Sequence, residues 1–156
     1  MAQEIERKFL VIGDSWKNHV SRSVHYQQGY LCGNTRSSIR VRVSDESGYL
    51  NIKSATLGVR REEFEYPVPL PDARRMLELL CEGPLIEKTR HFVEYRGHVW
   101  EVDVFEGQNR GLVVAEVELS SEDETFERPD WIGEEVSHDA RYYNTSLVRH
   151  PYIRWT

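Results

Sequence analysis

Near the start of the chain, five residues have the types and spacing for chemistry on a metal-bound anion: Glu4-Ile5-Glu6-Arg7-Lys8. As a β-strand this segment places Glu4, Glu6 and Lys8 on one face and Ile5, Arg7 and Phe9 on the other, because side chains alternate at period 2. The two carboxylates then stand two strand rises apart, roughly 6.6 Å. Like charges that close repel unless a cation lies between them, and a divalent metal takes carboxylate ligands. Lys8, on the same face, would hold an anion bound to that metal. One such strand says little by itself, but the pattern recurs along the chain.

Strands must position these residues. After 2–11, strand-like runs cover 23–32, 37–44, 48–55, 58–68, 84–95, 98–106 and 111–120. Turn signals separate them, among them Cys32-Gly33-Asn34, Arg96-Gly97 and Gly107-Gln108-Asn109. The short spacings predict antiparallel hairpins. Residues 71–82 break the pattern: Pro71 suits a first helical turn, Met76, Leu77, Leu79 and Leu80 make an apolar stripe, and Gly83-Pro84 stops it. A short helix is expected at 121–127, its acidic run forming a solvated face, and another from 137 to about 149. With no repeat, low-complexity stretch or linker, residues 1–156 read as one domain.

Most of these strands pair an apolar face with a charged one. Arg40 and Arg42 oppose Ile39, Val41 and Val43; Lys53 opposes Leu50 and Ile52. Arg61, Glu63 and Glu65 oppose Phe64 and Tyr66, and Lys88 lies with Arg90. Glu101 and Asp103 oppose Trp100, Val102 and Val104; Glu116 and Glu118 oppose Val113, Ala115, Val117 and Leu119. An open antiparallel sheet with one face in water would also alternate. A solvated face, however, normally mixes charges to form cross-strand pairs, whereas same-sign pairs recur here. About eight strands are enough to close into a barrel whose interior holds a ligand. With the apolar faces outward under the helices, the charges line the bore. Burying them there is costly unless they are paired or ligated. The implied ligand is a highly charged anion with a divalent metal: Arg and Lys hold the anion, and carboxylates hold Mg²⁺ or Mn²⁺.

Composition excludes other classes. With 29% charged and 39% hydrophobic residues, the chain is globular rather than disordered. No apolar run approaches the ~20 residues of a membrane helix, and the charged N-terminus lacks the apolar stretch of a secretion signal. A net charge of −6 argues against a general nucleic-acid binder. Scattered histidines without an H-x-x-x-H pair argue against a His-based zinc site. Cys32 and Cys81 lack metal-ligand spacing and read as reduced thiols of a cytosolic protein, a disulfide between them being left open by sequence. Trp100 and Trp131 read as packing residues, and His25, His91 and His138 as surface or rim groups.

The whole series resembles a known family. Glu4-Ile5-Glu6-Arg7-Lys8 is similar to the Glu-x-Glu-x-Lys signature of the CYTH superfamily, the triphosphate tunnel metalloenzymes. The rest follows in order: Gln28-Gly29-Tyr30, Arg40-x-Arg42, Lys53, Arg61-x-Glu63-x-Glu65, Glu87-Lys88-Thr89-Arg90, Glu101-x-Asp103, Glu116-x-Glu118 and Arg141-Tyr142. The resemblance covers nearly the whole chain. It implies an α+β fold, an eight-stranded antiparallel closed β-barrel, or tunnel, with flanking helices. It also implies metal-dependent chemistry on triphosphates. Compact bacterial members that begin this way look most like inorganic triphosphatases, which hydrolyse a terminal phosphate.

By that resemblance Lys8, Arg40, Arg42, Lys53, Arg61, Lys88, Arg90 and Arg141 bind phosphates. Glu4, Glu6, Glu63, Glu65, Glu101, Asp103, Glu116 and Glu118 bind metal or orient water. Lys8, Tyr30, Glu116 and Glu118 are the candidate catalytic groups, Tyr30 for proton transfer. Many relatives carry a Lys just before the Arg-Tyr pair, where this chain has Ala140. Three other readings stand beside the triphosphatase: a class IV type adenylate cyclase, a thiamine triphosphatase and a non-catalytic polyphosphate-binding module. The expected partner is a small triphosphate, with no nucleic acid and no membrane. A homodimer through exposed strand surfaces is left open.

Overall fold

The computed structural model describes residues 3–155. Nine strands form one antiparallel sheet: β1 (Gln3–Val11), β2 (Val20–Gly33), β3 (Ser37–Val43), β4 (Gly48–Ser54), β5 (Arg60–Val68), β6 (Glu82–Tyr95), β7 (His98–Phe105), β8 (Val113–Glu118) and β9 (Ile132–Glu135). Helix α1 (Leu70–Leu79) follows β5, and α2 (Asn144–Arg149) lies near the C-terminus. The expected first residue of β1, Ala2, lies outside the described residues.

The sheet closes on itself. Its order is β5-β4-β3-β2-β6-β7-β8-β1-β9, and β1 also pairs with β5. Eight strands therefore make a ring, and β9 adds to β1 outside it. Strand β1 closes it by using both edges: Glu6–Leu10 pair with β8 on one, while on the other Gln3–Ile5 pair with β5 and Phe9–Val11 with β9. Residues directly opposite in a ladder share a face, so register sets which charges meet. Glu6 faces Glu118, Lys8 faces Glu116, Lys53 faces Glu63, Arg90 faces Asp103 and Glu101 faces Glu116. The charged faces all point into the ring.

The apolar faces pack outward under a partial coat. Phe9, Trp100, Val102, Ala115, Val117 and Trp131 form one buried layer over β1, β7 and β8. Trp100 and Trp131 are packing residues, edge to face at 5.9 Å. Helix α1 lays Ala73 and Leu77 on Val41 and Val43. A third layer, Ile86, Phe105, Leu112, Val114 and Leu147, lies inside the ring. Ile86, Phe105 and Val114 continue the inward faces of Lys88, Asp103 and Glu116. The charged bore thus ends at an apolar plug, and Leu147 of α2 completes it.

Three segments depart from expectation. Residues 121–127 form a turn and irregular chain rather than a helix. Phe126 reaches edge-on to Phe9 and Trp100, Arg7 holds the Glu122 carbonyl, and Glu124 is engaged by Ser120 N–H and His98. Those contacts need an extended path. The expected helix over 137–149 is split. A 3-10 turn covers Ala140–Tyr142, Tyr143 is extended, and only Asn144–Arg149 is α-helical. Tyr143 accepts a hydrogen bond from Gly58 N–H at 3.0 Å and donates one to the Ser137 carbonyl at 2.6 Å, which anchors it out of the helical path. Strand β9 was not expected, since four residues are too few for a period-2 signal. Both cysteines are free thiols. Among the described residues, no helix is long and apolar enough to cross a membrane.

Candidate active site

The bore encloses a cavity of about 180 Å³. Of the residues singled out from sequence, Glu4, Glu6, Lys8, Tyr30, Arg40, Arg42, Lys53, Arg61, Glu63, Glu65, Arg90, Glu101, Glu116 and Glu118 line it. They come from every strand of the ring, because each contributes its inward alternate residues. Three others stand elsewhere. Lys88 and Asp103 are wholly buried and are held against each other rather than facing the cavity. Arg141 is exposed and forks onto Asp139 two residues away, so it does not reach the bore.

The cations differ in how fully neighbours occupy them. Asp103 accepts from Lys88 Nζ at 2.7 Å and from Arg90 Nε and Nη2 at 2.8 and 2.9 Å. Burial alone would raise the Asp103 carboxyl, but Arg90 and Lys88 together hold it down at about 2. Burial pushes the Lys88 ammonium down to about 7, even beside Asp103, because that carboxylate is shared with Arg90. Lys53 touches Glu4 at 3.1 Å and Glu63 at 3.2 Å. By contrast, Lys8 meets Glu116 only at 3.9 Å, and Arg61 meets Glu6 only at 3.9 Å. Arg40 is buried with its Nε unpartnered. Burial and the adjacent Arg40 and Arg90 press the Arg42 guanidinium down to about 10. Unspent donors in an enclosing bore suit an anion with several oxygens.

The carboxylates are crowded in pairs. Burial, then the Glu116 charge, pushes Glu6 well above the usual carboxylate range. Glu116, despite its own burial, is held well below that range by Lys8 and Arg90 and by a hydrogen bond from Glu6. Burial and a hydrogen bond to Glu63 raise Glu4, while Glu63 is lowered against its own burial by that bond and Lys53. In each pair burial and the neighbouring carboxylate push one group up, while nearby cations hold the other down. A hard divalent cation between such oxygens would relieve their repulsion, so this all-oxygen donor set fits Mg²⁺ or a similar ion. Among the described residues, His25, Glu87 and Glu106 also place ligand atoms within 4.8 Å of one another, but half-exposed and away from the cavity lining.

Several lining residues went unread in the sequence. Asn51 and Ser38 share inward faces with Lys53 and Arg40, so strict alternation would have found them. Asn51 donates to Glu65 at 3.0 Å. Tyr143, Asn144 and Thr145 enter from the C-terminal segment, where no period announces them.

A closed antiparallel ring whose interior carries opposed cations and carboxylates defines a tunnel protein for a polyanion with metal. The CYTH domain family matches residues 2–152, and the chain belongs to that family. It is 48% identical over 152 residues to the inorganic triphosphatase of Acetivibrio thermocellus, covering 97% of both chains. It is 38% identical over 149 residues to the inorganic triphosphatase of Nitrosomonas europaea, covering 93% of this chain and 96% of that one. Among solved structures it is similar to the inorganic triphosphatase NE1496, with a TM-score of 0.67 and 34% identity over 95% of each chain. The triphosphate tunnel metalloenzymes of this family are metal-dependent.

Proposed function

We propose that this protein hydrolyses the terminal phosphate of inorganic triphosphate inside the tunnel, with Mg²⁺ or Mn²⁺. The observation that carries this reading is one closed bore lined both by cations with unspent donors and by crowded carboxylates. Two full-length relatives above 30% identity are inorganic triphosphatases, which supports it. The small cavity supports it too, being below the ~300 Å³ at which sites for drug-sized ligands begin.

In this reading Lys8, Arg40, Arg42, Lys53, Arg61 and Arg90 hold the phosphate oxygens, and their charge offsets what builds up as the anhydride bond breaks. Glu4, Glu6, Glu63, Glu65, Glu101 and Glu116 are the ligand set, directly or through water. The metal, when bound, supplies charge neutralisation across neighbouring phosphates. Lys88 and Asp103 act from behind the lining by fixing Arg90. Tyr30 borders the site as a proton carrier. Water attacks the terminal phosphorus, an O–P bond forms and the P–O–P bridge breaks. Pyrophosphate, phosphate and one proton leave. Of the two candidate bases, Glu118 suits the task better. Burial and the nearby Glu4 raise its carboxyl, whereas Lys8 and Arg90 hold Glu116 well below the usual carboxylate range. We place the reaction in the cytosol, where the reduced thiols fit.

A second reading has one observation behind it. A cleft of about 670 Å³, lined by Ala55, Leu57, Ala140 and Ser146, shares Ser38, Arg61, Tyr143 and Thr145 with the bore. It would take the organic group of a nucleoside or thiamine triphosphate. Phosphate release from inorganic triphosphate, ATP and thiamine triphosphate, each with Mg²⁺, Mn²⁺ or chelator, separates the readings. Fast metal-dependent release from inorganic triphosphate is expected, and cyclic AMP from ATP would replace hydrolysis with cyclisation. Lys8→Ala and Glu6→Gln should each lose at least about 100-fold in turnover with the fold retained, the scale of a lost transition-state charge contact. Near-wild-type turnover in either would sink the site.

A further inference from the structure

Resting on the triphosphate reading of this bore, we infer that Tyr143 is a positioning residue that keeps Lys8 and Arg61 off their neighbouring carboxylates and free for phosphate. Its ring serves both cations. Lys8 Nζ stands 5.5 Å from the ring centroid and the Arg61 guanidinium 4.9 Å from it. These are the two bore cations whose recorded carboxylate contacts are both at 3.9 Å, whereas Lys53 makes pairs of 3.2 Å or less and Arg90 one of 2.8 Å. An aromatic face attracts a cation without consuming its N–H donors in a charge pair. Lys8 is held further by donating to the Tyr142 carbonyl at 3.1 Å, so the same stretch of chain fixes it twice.

The ring is itself fixed from two sides. Its hydroxyl accepts from Gly58 N–H in the β4–β5 loop and donates to the Ser137 carbonyl just after β9. Ser137 Oγ in turn accepts from Lys8 N–H at 2.9 Å. Without the ring, Lys8 has a short path to Glu116 and Arg61 to Glu6. Each collapse would trade a phosphate donor for a tight internal pair and would also occupy a carboxylate of the ligand set. Bound triphosphate would have to pull both cations back off those carboxylates, so the expected cost is in binding, while the bound complex keeps the Lys8 contact whose removal in Lys8→Ala costs turnover.

The test compares wild type, Tyr143→Phe and Tyr143→Met by steady-state kinetics with inorganic triphosphate and Mg²⁺, by direct binding of inorganic triphosphate, and by melting temperature. Phe keeps the ring face and loses the hydroxyl tether; Met keeps apolar bulk and loses the face. Tyr143→Met should raise KM and Kd at least about 10-fold, with kcat changed by less than about 3-fold. Tyr143→Phe should stay within about 3-fold in KM while its melting temperature falls. An unchanged KM in the Met variant, or equal losses in both variants tracking their stability, would overturn the inference. If Tyr143→Met does not fold, Tyr143→Phe alone decides: KM must hold while stability drops. If wild type binds triphosphate without turnover, the hydrolase reading fails, and the Kd comparison still tests Tyr143. If wild type does not bind it, both fail.

Discussion

At the scale of single residues, the bore separates charges that hold structure from charges left for a ligand. Asp103 belongs to the first kind. It is fully buried, is met by Lys88 and by two nitrogens of Arg90, and faces no solvent. Removing one member of a buried ion cluster leaves the others desolvated and unpaired, which costs about 3–5 kcal/mol. Asp103→Asn should therefore lower the melting temperature by roughly 6–20 °C, at about 2–4 °C per kcal/mol for a chain of this size. Lys8→Ala should move it much less, since Lys8 meets its carboxylate neighbour Glu116 only at 3.9 Å. Thermal scans of the two variants side by side check the contrast. A large loss in Lys8→Ala with none in Asp103→Asn would reverse this division of roles.

At the scale of elements, β9 shows how a short strand can matter to the site. Glu135 at its end accepts from Arg7 at 3.0 Å and from Ser137 Oγ at 2.7 Å, and Ser137 receives the Lys8 N–H. This chain fastens β9 to the strand that carries the signature. Burial would raise the Glu135 carboxyl, but Ser137 and Arg7 outweigh it and hold it below the usual value of 4.5. A carboxyl lowered on folding stabilises the folded state above its unfolded pKa and loses that contribution as pH falls through the folded one. Glu135→Gln should thus cost about 1 kcal/mol at neutral pH. The gap to wild type should close as pH drops below the ordinary carboxylate range. Melting curves from neutral to acid pH test this, and a gap that stays constant would show that the charge is not responsible. Strands β3, β4, β7 and β8 were legible because a charged inner face and an apolar outer face give a clean alternation. Residues 121–137 were not. Trp131 was read as a packing residue, but Phe126 and Glu135 act there through contacts made far along the chain, which no local period records. The same holds for Tyr143, whose extended backbone is set by Gly58 and Ser137 rather than by its neighbours' helix propensity.

At the scale of the whole molecule, the ring is a closed wall of charges that partly repel one another. Its closure is narrowest at the β1–β5 seam, where three residue pairs join the strands and Glu6 N–H reaches the Val59 carbonyl. Both sides of that seam carry ligand-binding candidates: Glu4 and Glu6 on one, Arg61, Glu63 and Glu65 on the other. A metal-bound triphosphate would bridge the seam from within. Anything that binds only the folded state stabilises it, by about 2.7 kcal/mol when present at 100 times Kd. A rise of roughly 5–10 °C in melting temperature is expected with Mg²⁺ and a slowly hydrolysed triphosphate analogue together. Either component alone should give much less, because the free metal leaves the cations uncompensated and the free anion leaves the carboxylates repelling it. The gain should also be local. Amide exchange at residues 3–6 and 60–63 should slow more than exchange in β6 or β7, whose long ladders are already secure. If stabilisation appeared with no change at the seam, the ligand would be held on one wall only, and the bridging role of the bore would be lost.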